Sequence, residues 1–250
     1  MNSEHIVKSF DEELQQLNTV VLRMGGVAEA QFAGAVDALV RRDSALAEKV
    51  VKGDEAVDQM DLELDEDAIR TLALRQPMAN DLREVISALK ISSDLERIGD
   101  YAKNIAKRTI ALNQLAHHEA VRSIPRMAKL VQAIIKDVLD AYANHDSNRA
   151  LDVWHRDEEV DEMYTALFRE LLTYMMEDPR NITPCTHLLF IAKNVERIGD
   201  HATNIAETTY YLTTGKRIEG GRPKSDTTSF QVVEPEGGAA AQDGKEKEGA

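Results

Sequence analysis

ISSDLERIGDYAKNIAKR, residues 91–108, returns one hundred positions later as IAKNVERIGDHATNIAET, residues 191–208. The two stretches match without a gap at Ile, at Glu-Arg-Ile-Gly-Asp, at Ala and at Asn-Ile-Ala. Self-similarity of this kind marks a duplicated structural unit. Upstream the echo continues at an offset of 103: Asp43-Ser44 against Asp146-Ser147, and Asp54-Glu55-x-Val57-Asp58 against Asp157-Glu158-x-Val160-Asp161. The three-residue change of offset falls between these blocks, at the join of the second and third helices of each unit, where length changes are tolerated.

Helical periodicity surrounds the repeats. Phe10, Leu14, Leu17, Val21, Met24, Ala28, Phe32, Ala35 and Leu39 recur at alternating threes and fours, the stripe of a long amphipathic helix. Gly25-Gly26 inside it is expected to loosen the helix locally. A second helix starts at Asp43 or Ser44, both capping residues, and ends at Gln76-Pro77. The third runs from about Asn80 to Leu115, with Leu82, Ile86 and Leu89 read as its core line. A fourth follows Pro125, a fifth starts at Asp146-Ser147, and a sixth follows Asp178 through Pro184 to about Leu212. No stretch alternates like a strand. The expected fold is all-α: two tandem three-helix bundles of six long antiparallel helices. The first spans 1–116 and the second 117–215. Residues 216–250, poor in apolar side chains, form a disordered tail.

Charge and composition narrow the function. A formal charge of -14 with no clustered Lys/Arg surface argues against nucleic acid as a partner. From Lys216 onward seven acids meet six bases, so the acidity belongs to the folded body. The start, MNSEHIVKSFDEEL, lacks a secretory pattern, and no run of about 18 apolar residues offers a membrane span. The expected setting is cytoplasmic, without direct membrane insertion. Cys185 is the single cysteine, which excludes an internal disulfide and a thiolate cage.

The repeated residues carry chemistry. Glu96 and Asp100, four apart, share one helix face with Asn104; Glu196, Asp200 and Asn204 repeat the arrangement. Asp54 and Asp58 form a second acidic pair, extended by Asp61 and Asp65. Counted outward from Gln76-Pro77, the pairs Asp54/Asp58 and Glu96/Asp100 lie at similar distances, so antiparallel packing brings them level. Asp157/Asp161 meets Glu196/Asp200 less evenly. Oxygen-only clusters suit hard cations, Mg²⁺, Mn²⁺, Ca²⁺ or ferric iron. The alternative is neutralisation by Arg97 and Arg197 in surface ion pairs worth roughly 0–1 kcal/mol.

Other residues read more plainly. His201 has Tyr101 as its counterpart and is expected to be exposed or hydrogen-bonded. His117-His118 marks a helix end, where imidazolium meets the dipole. Trp154 and Phe168 belong to the core. Gly99 and Gly199 permit close helix approach, leave room for an ion or adjust the backbone. Arg70, Arg75 and Arg83 form a solvated basic end, with an anion site as the alternative. A di-iron oxidase needs Glu-x-x-His pairs, which Glu96-x-x-Gly99 does not supply.

The doubled E-R-I-G-D-x-A-x-N-I-A motif resembles the PhoU family, accessory proteins of phosphate-specific transport, over roughly residues 5–213. That resemblance implies multinuclear iron, or other metal ions such as Mn or Mg, on Glu96, Asp100, Glu196 and Asp200, with Asp54, Asp58, Asp157 and Asp161 as facing acids. It implies a non-enzymatic negative regulator of phosphate uptake and of the phosphate-starvation response. The implied partners are the ATPase subunit of the phosphate ABC transporter, the phosphate-sensor histidine kinase and a second copy of the chain in a homodimer. Accessory proteins of other phosphate transporters, and a metal-binding structural adaptor, are the alternatives.

Overall fold

The structure, a computed structural model, describes residues 2–222 and Thr228, with side chains from Phe10 onward. Among the described residues there are helices and turns but no strand: α1 (Asn2–Arg41), α2 (Ser44–Gly53), α3 (Glu55–Arg75), α4 (Asn80–Asn113), α5 (Ile124–Ala143), α6 (Ser147–His155), α7 (Asp157–Glu177) and α8 (Ile182–Thr214). Short 3-10 turns at Glu119–Ser123 and Pro179–Asn181 lead into α5 and α8. The helix read as the second is α2 followed at once by α3, and the fifth is α6 followed by α7. Pro184 lies inside the first turn of α8, where a missing N–H is tolerated.

The duplication extends to backbone detail. Arg42 and His145 both adopt positive φ, 54° and 48°. Behind them, Asp43 N donates to Ala38 O and Asp146 N to Ala141 O, each at 2.9 Å. This is the Schellman ending, in which the sixth residue closes on the first. The same two aspartates then cap the next helix: Asp43 accepts from Leu46 N, and Asp146 from Asn148 N and Arg149 N. One residue pair thus stops a helix and starts its antiparallel neighbour.

Helices α1–α4 pack as one bundle and α5–α8 as the other, joined mainly along α4 and α8 and secondarily along α1 and α5. The α4/α8 seam is antiparallel. Asp94 meets His201, Arg108 covers Phe190, and Arg83 reaches Leu212, so numbers rise on one helix as they fall on the other. Because α4 is buried on two sides, its core positions form a broad band: Val85, Ala88, Ile91, Leu95, Ile98, Ala102 and Ile105 are inaccessible. Of the line Leu82, Ile86, Leu89, only Leu89 packs against the core; Leu82 and Ile86 are exposed at the rim. Glu96 and Asp100, on that line, accordingly sit half-buried at the edge of the seam.

Gly25-Gly26 does not loosen α1, which runs unbroken through both residues. A Cβ on Gly25 would stand 2.5 Å from Leu139 Cδ2, so the glycine lets α5 approach α1. Trp154 is buried, and Phe168 packs against the core. His118 caps the 3-10 turn before α5, its Nδ1 accepting from Ala120 N, rather than meeting a helix C-terminus. Cys185 is buried beside His118 Nε2. Of the expected tail, residues 223–227 and 229–250 lie outside the described residues. Residues 216–222 turn back from α8 at Gly215, whose φ is 73°.

Two carboxylate clusters as the candidate functional site

The α2/α3 and α6/α7 breaks place acids at helix starts. Asp54, with Glu55 and Asp58 in the following turn, sits at the N-terminus of α3, and Asp157, Glu158 and Glu159 form the first turn of α7. Positive helix ends favour carboxylates there, typically by 0.3–1 kcal/mol. Asp54 makes no side-chain cap. Its carboxylate is buried to 2 % exposure and faces α4 instead.

In the first half the acids close on an ammonium group. Lys103 Nζ donates to Asp54 Oδ2 and, at 3.2 Å, to Asp100 Oδ1. These contacts hold Lys103 protonated above its ordinary range. Asp58 lies close enough for Asp54 to help raise its pKa, after burial, and Glu96 is raised by burial and then by Asp100. Arg97 touches Glu96 and Asp100 at 3.4 Å from an exposed position. The predicted ion pairing is therefore present here, but Arg97 stands outside the cluster and Lys103 inside it. Gly99 provides the close approach: a Cβ there would lie 3.0 Å from Gln31 Oε1 and 3.3 Å from Asp54 Oδ1.

In the second half Asp157 and Asp161 are each 2 % exposed and Glu196 is 4 % exposed. Burial, with help from Asp200, pushes the Glu196 carboxyl up to about 7 against the pull of Lys193, 2.9 Å away. Thr203 stands where α4 carries Lys103, and its hydroxyl donates to Asp157 at 3.2 Å. Lys193 of α8 serves Glu196, and the counter-charge of Asp157 and Asp200 comes from beyond α8. Arg222 donates to Asp157 Oδ2 at 2.7 Å, Asp157 Oδ1 at 3.0 Å and Asp200 Oδ1 at 2.8 Å. Arg197 lies over the Tyr101 ring instead.

The packing thus gathers Asp54, Asp58, Glu96 and Asp100 in one half, and Asp157, Asp161, Glu196 and Asp200 in the other. Sequence reasoning missed four participants. Lys103 was legible as an i, i+3 partner of Asp100, and Lys193 as the same kind of partner of Glu196. Gln31, from α1, and Arg222 carried no sequence signal. Gln31 Nε2 and Oε1, Asp54 Oδ1, Asp61 Oδ1 and Glu196 Oε2 are buried without a protein hydrogen-bond partner. Buried oxygens left in that state need a ligand, water or ion to explain them. Their donor chemistry fits hard cations. Among the described residues no three His, Cys, Asp or Glu side chains already converge as a coordination shell; the carboxylates converge on Lys103 and Arg222.

The remaining candidates separate. His201 Nδ1 lies 2.8 Å from Asp94 Oδ1 in the seam. Arg75 pairs with Glu13, Arg70 with Asp67, and Arg83 stacks over Tyr211, so the three arginines do not form one anion site.

The PhoU domain profile matches residues 21–109 and again 124–209. The phosphate-specific transport system accessory protein PhoU homolog of Caulobacter vibrioides is 58% identical over 228 residues, 91% of this chain and 99% of that protein. Its Rhizobium meliloti counterpart is 54% identical, over 92% of this chain and 97% of the other. Among crystal structures, PhoU from Pseudomonas aeruginosa superposes with a TM-score of 0.81 at 42% identity, covering 83% of this chain and all of that one (100%). The Streptococcus pneumoniae phosphate transport regulatory protein PhoU gives 0.77 at 34% identity, covering 84% and 99%. With two matched domains, a duplicated motif and a shared helical architecture, the chain belongs to the PhoU family.

Proposed function

We propose that this chain is a non-catalytic, cytoplasmic negative regulator of phosphate uptake and of the phosphate-starvation response. It acts as an adaptor between the ATPase subunit of a phosphate ABC transporter and a phosphate-sensor histidine kinase, and works as a homodimer. The observation that carries this reading is similarity over 91% of this chain, at 58% identity, to a homolog of an accessory protein of a phosphate-specific transport system. No described helix is long and apolar enough to cross a membrane, so the adaptor meets membrane partners through their exposed domains.

The two clusters are its metal sites. Asp54, Asp58, Glu96 and Asp100 hold one ion or group of ions, and Asp157, Asp161, Glu196 and Asp200 the other. Iron, Mn or Mg fits the oxygen donors. A bound cation neutralises acids on two helices at once and so couples its presence to how α3 sits on α4 and α7 on α8. The support is the partnerless buried oxygens Gln31 Oε1 and Asp54 Oδ1 at the first cluster and the single one, Glu196 Oε2, at the second.

Deletion of the gene tests the regulatory role. Alkaline phosphatase and phosphate uptake in phosphate-rich medium rise if the chain is a repressor. Unchanged levels of both leave a metal-capable helical protein with another task.

A further inference from the structure

The two clusters differ in where the counter-charge of the aspartate at the helix start, Asp54 or Asp157, comes from. In the first, Lys103 is part of α4 and cannot leave it. In the second, Thr203 fills that position; Lys193 of α8 serves Glu196, but the positive charge on Asp157 and Asp200 arrives on the segment after α8. Gly215 ends α8 in the left-handed conformation and reverses the chain. Residues 216–222 then run back along α8 until Arg222 meets the backbone carbonyl of Asp200 at 3.1 Å and Asn204 Oδ1 at 3.2 Å. Over that course Arg217, Ile218 and Gly220 wall a cleft of about 470 Å³ against Trp154, Lys90 and Tyr211.

We propose that Arg222 is a tethered plug: the guanidinium and a divalent cation occupy the second cluster alternately, and metal binding releases the 216–222 segment and opens the cleft. The proposal rests on the metal-site reading above. Asp157, at 2 % exposure, cannot be left without a counter-charge. Arg222 and an ion cannot serve it together. One guanidinium nitrogen lies 3.0 Å from Asp157 Oδ1 and 2.8 Å from Asp200 Oδ1, in the space an ion would need at 2.0–2.6 Å from those oxygens. An ion at the first cluster displaces only the Lys103 side chain; at the second it displaces main chain. The two sites are therefore unequal, and only the second reports occupancy to the surface.

Trp154, the single tryptophan, reads the segment directly: it is 5 % exposed and lines the cleft. The full chain is stripped with chelator, and Mn²⁺ binding is counted from the loss of free-ion resonance while acrylamide quenching of Trp154 is followed. The first cluster is silenced with Glu96→Gln and Asp100→Asn. On that background Mn²⁺ steepens quenching, and Arg222→Ala starts steep and binds Mn²⁺ at least about tenfold more tightly. Thr203→Lys, which supplies the α4 arrangement, keeps the measurement available should Arg222→Ala fail to fold. It frees the segment without metal, so quenching is steep from the start. Mn²⁺ bound equally by all three with unchanged quenching overturns the plug and leaves the metal site standing. No Mn²⁺ bound by any variant overturns both.

Discussion

Leu139 of α5 packs into the space that a side chain on Gly25 of α1 would fill, with its Cδ2 2.5 Å from the position of that absent Cβ. The adjacent Gly26 has nothing within 4 Å of the same point. Alanine substitutions at neighbouring positions therefore act in opposite directions. Gly25→Ala forces a buried leucine, 8 % exposed, out of its rotamer and destabilises by roughly 1–2 kcal/mol. Gly26→Ala gains helix propensity in a solvent-facing position and stabilises by about 0.5–1 kcal/mol. Urea denaturation of the two variants checks both signs.

That pair shows what sequence could and could not supply. The duplication, the helical class, the two Asp-Ser starts and the acids that come together were all legible, because each is written in local spacing or in direct repetition. Gly25, Gln31 and Arg222 were not, because their roles depend on which distant helix passes by. The core line of α4 was misplaced by one residue for the same reason. Leu82 and Ile86 are as apolar as Val85 and Ile91, and only the packing of α4 against its neighbours, α8 of the second bundle among them, decides which of them is covered.

The paired left-handed residues give a second test. His145 pays backbone strain at φ 48° where glycine would not, so His145→Gly stabilises by about 0.5–1 kcal/mol. Arg42 shares the conformation, at φ 54°, but its guanidinium donates to the carbonyls of Leu112, Asn113 and Leu115 at 3.4, 3.0 and 2.6 Å, closing the end of α4. Arg42→Gly therefore destabilises, by about 1 kcal/mol net of the relieved strain. Thermal midpoints that moved the same way in both variants would show that the α4 carbonyls find other donors.

Lys103 supplies the counter-charge of buried Asp54. Lys103→Met leaves that carboxylate unpaired and destabilises the chelator-treated protein by about 3 kcal/mol. If the cluster takes metal, a divalent cation restores much of that loss in Lys103→Met, by mass action on the folded state. Thermal denaturation with and without Mn²⁺ separates the cases. Stabilisation by Mn²⁺ that is no larger in the variant than in the parent would place Lys103 outside the competition.

Metal content follows the acids rather than the arginines beside them. Replacing Glu96, Asp100, Glu196 and Asp200 with alanine lowers bound metal at both clusters. If those acids only repelled their neighbours, the variant would keep its metal and gain helix stability, a few tenths of a kcal/mol for each like-charged i, i+4 pair. Elemental analysis after equilibrium dialysis, paired with a denaturation curve, distinguishes the two.

Glu196 gives the metal-free protein a pH dependence opposite to ordinary acid denaturation. Burial raises its carboxyl from 4.5 to about 7, so the folded state holds a proton that the unfolded state has released. Stability from this group is then complete below pH 4.5, falls as pH rises through the window from 4.5 to about 7, and is flat above it. The interval corresponds to a loss of about 3 kcal/mol, undiminished by solvent because the side chain is only 5% exposed. Asp137, held below its ordinary range by Arg149 and Arg156 against its own burial, contributes the opposite slope only under pH 4, whereas His187, held below its ordinary range by burial and then by Arg108, opposes Glu196 inside the window in parent and variant alike, so the difference between the two isolates Glu196. Glu196→Gln keeps the shape and removes the charge, so it lacks the fall that Glu196 causes between pH 5 and about 7 and exceeds the parent in stability at pH 8. Urea titrations of chelated protein at pH 5, 6, 7 and 8 measure the slope. A parent curve parallel to that of the variant would mean that Lys193, 2.9 Å away, keeps Glu196 ionised throughout.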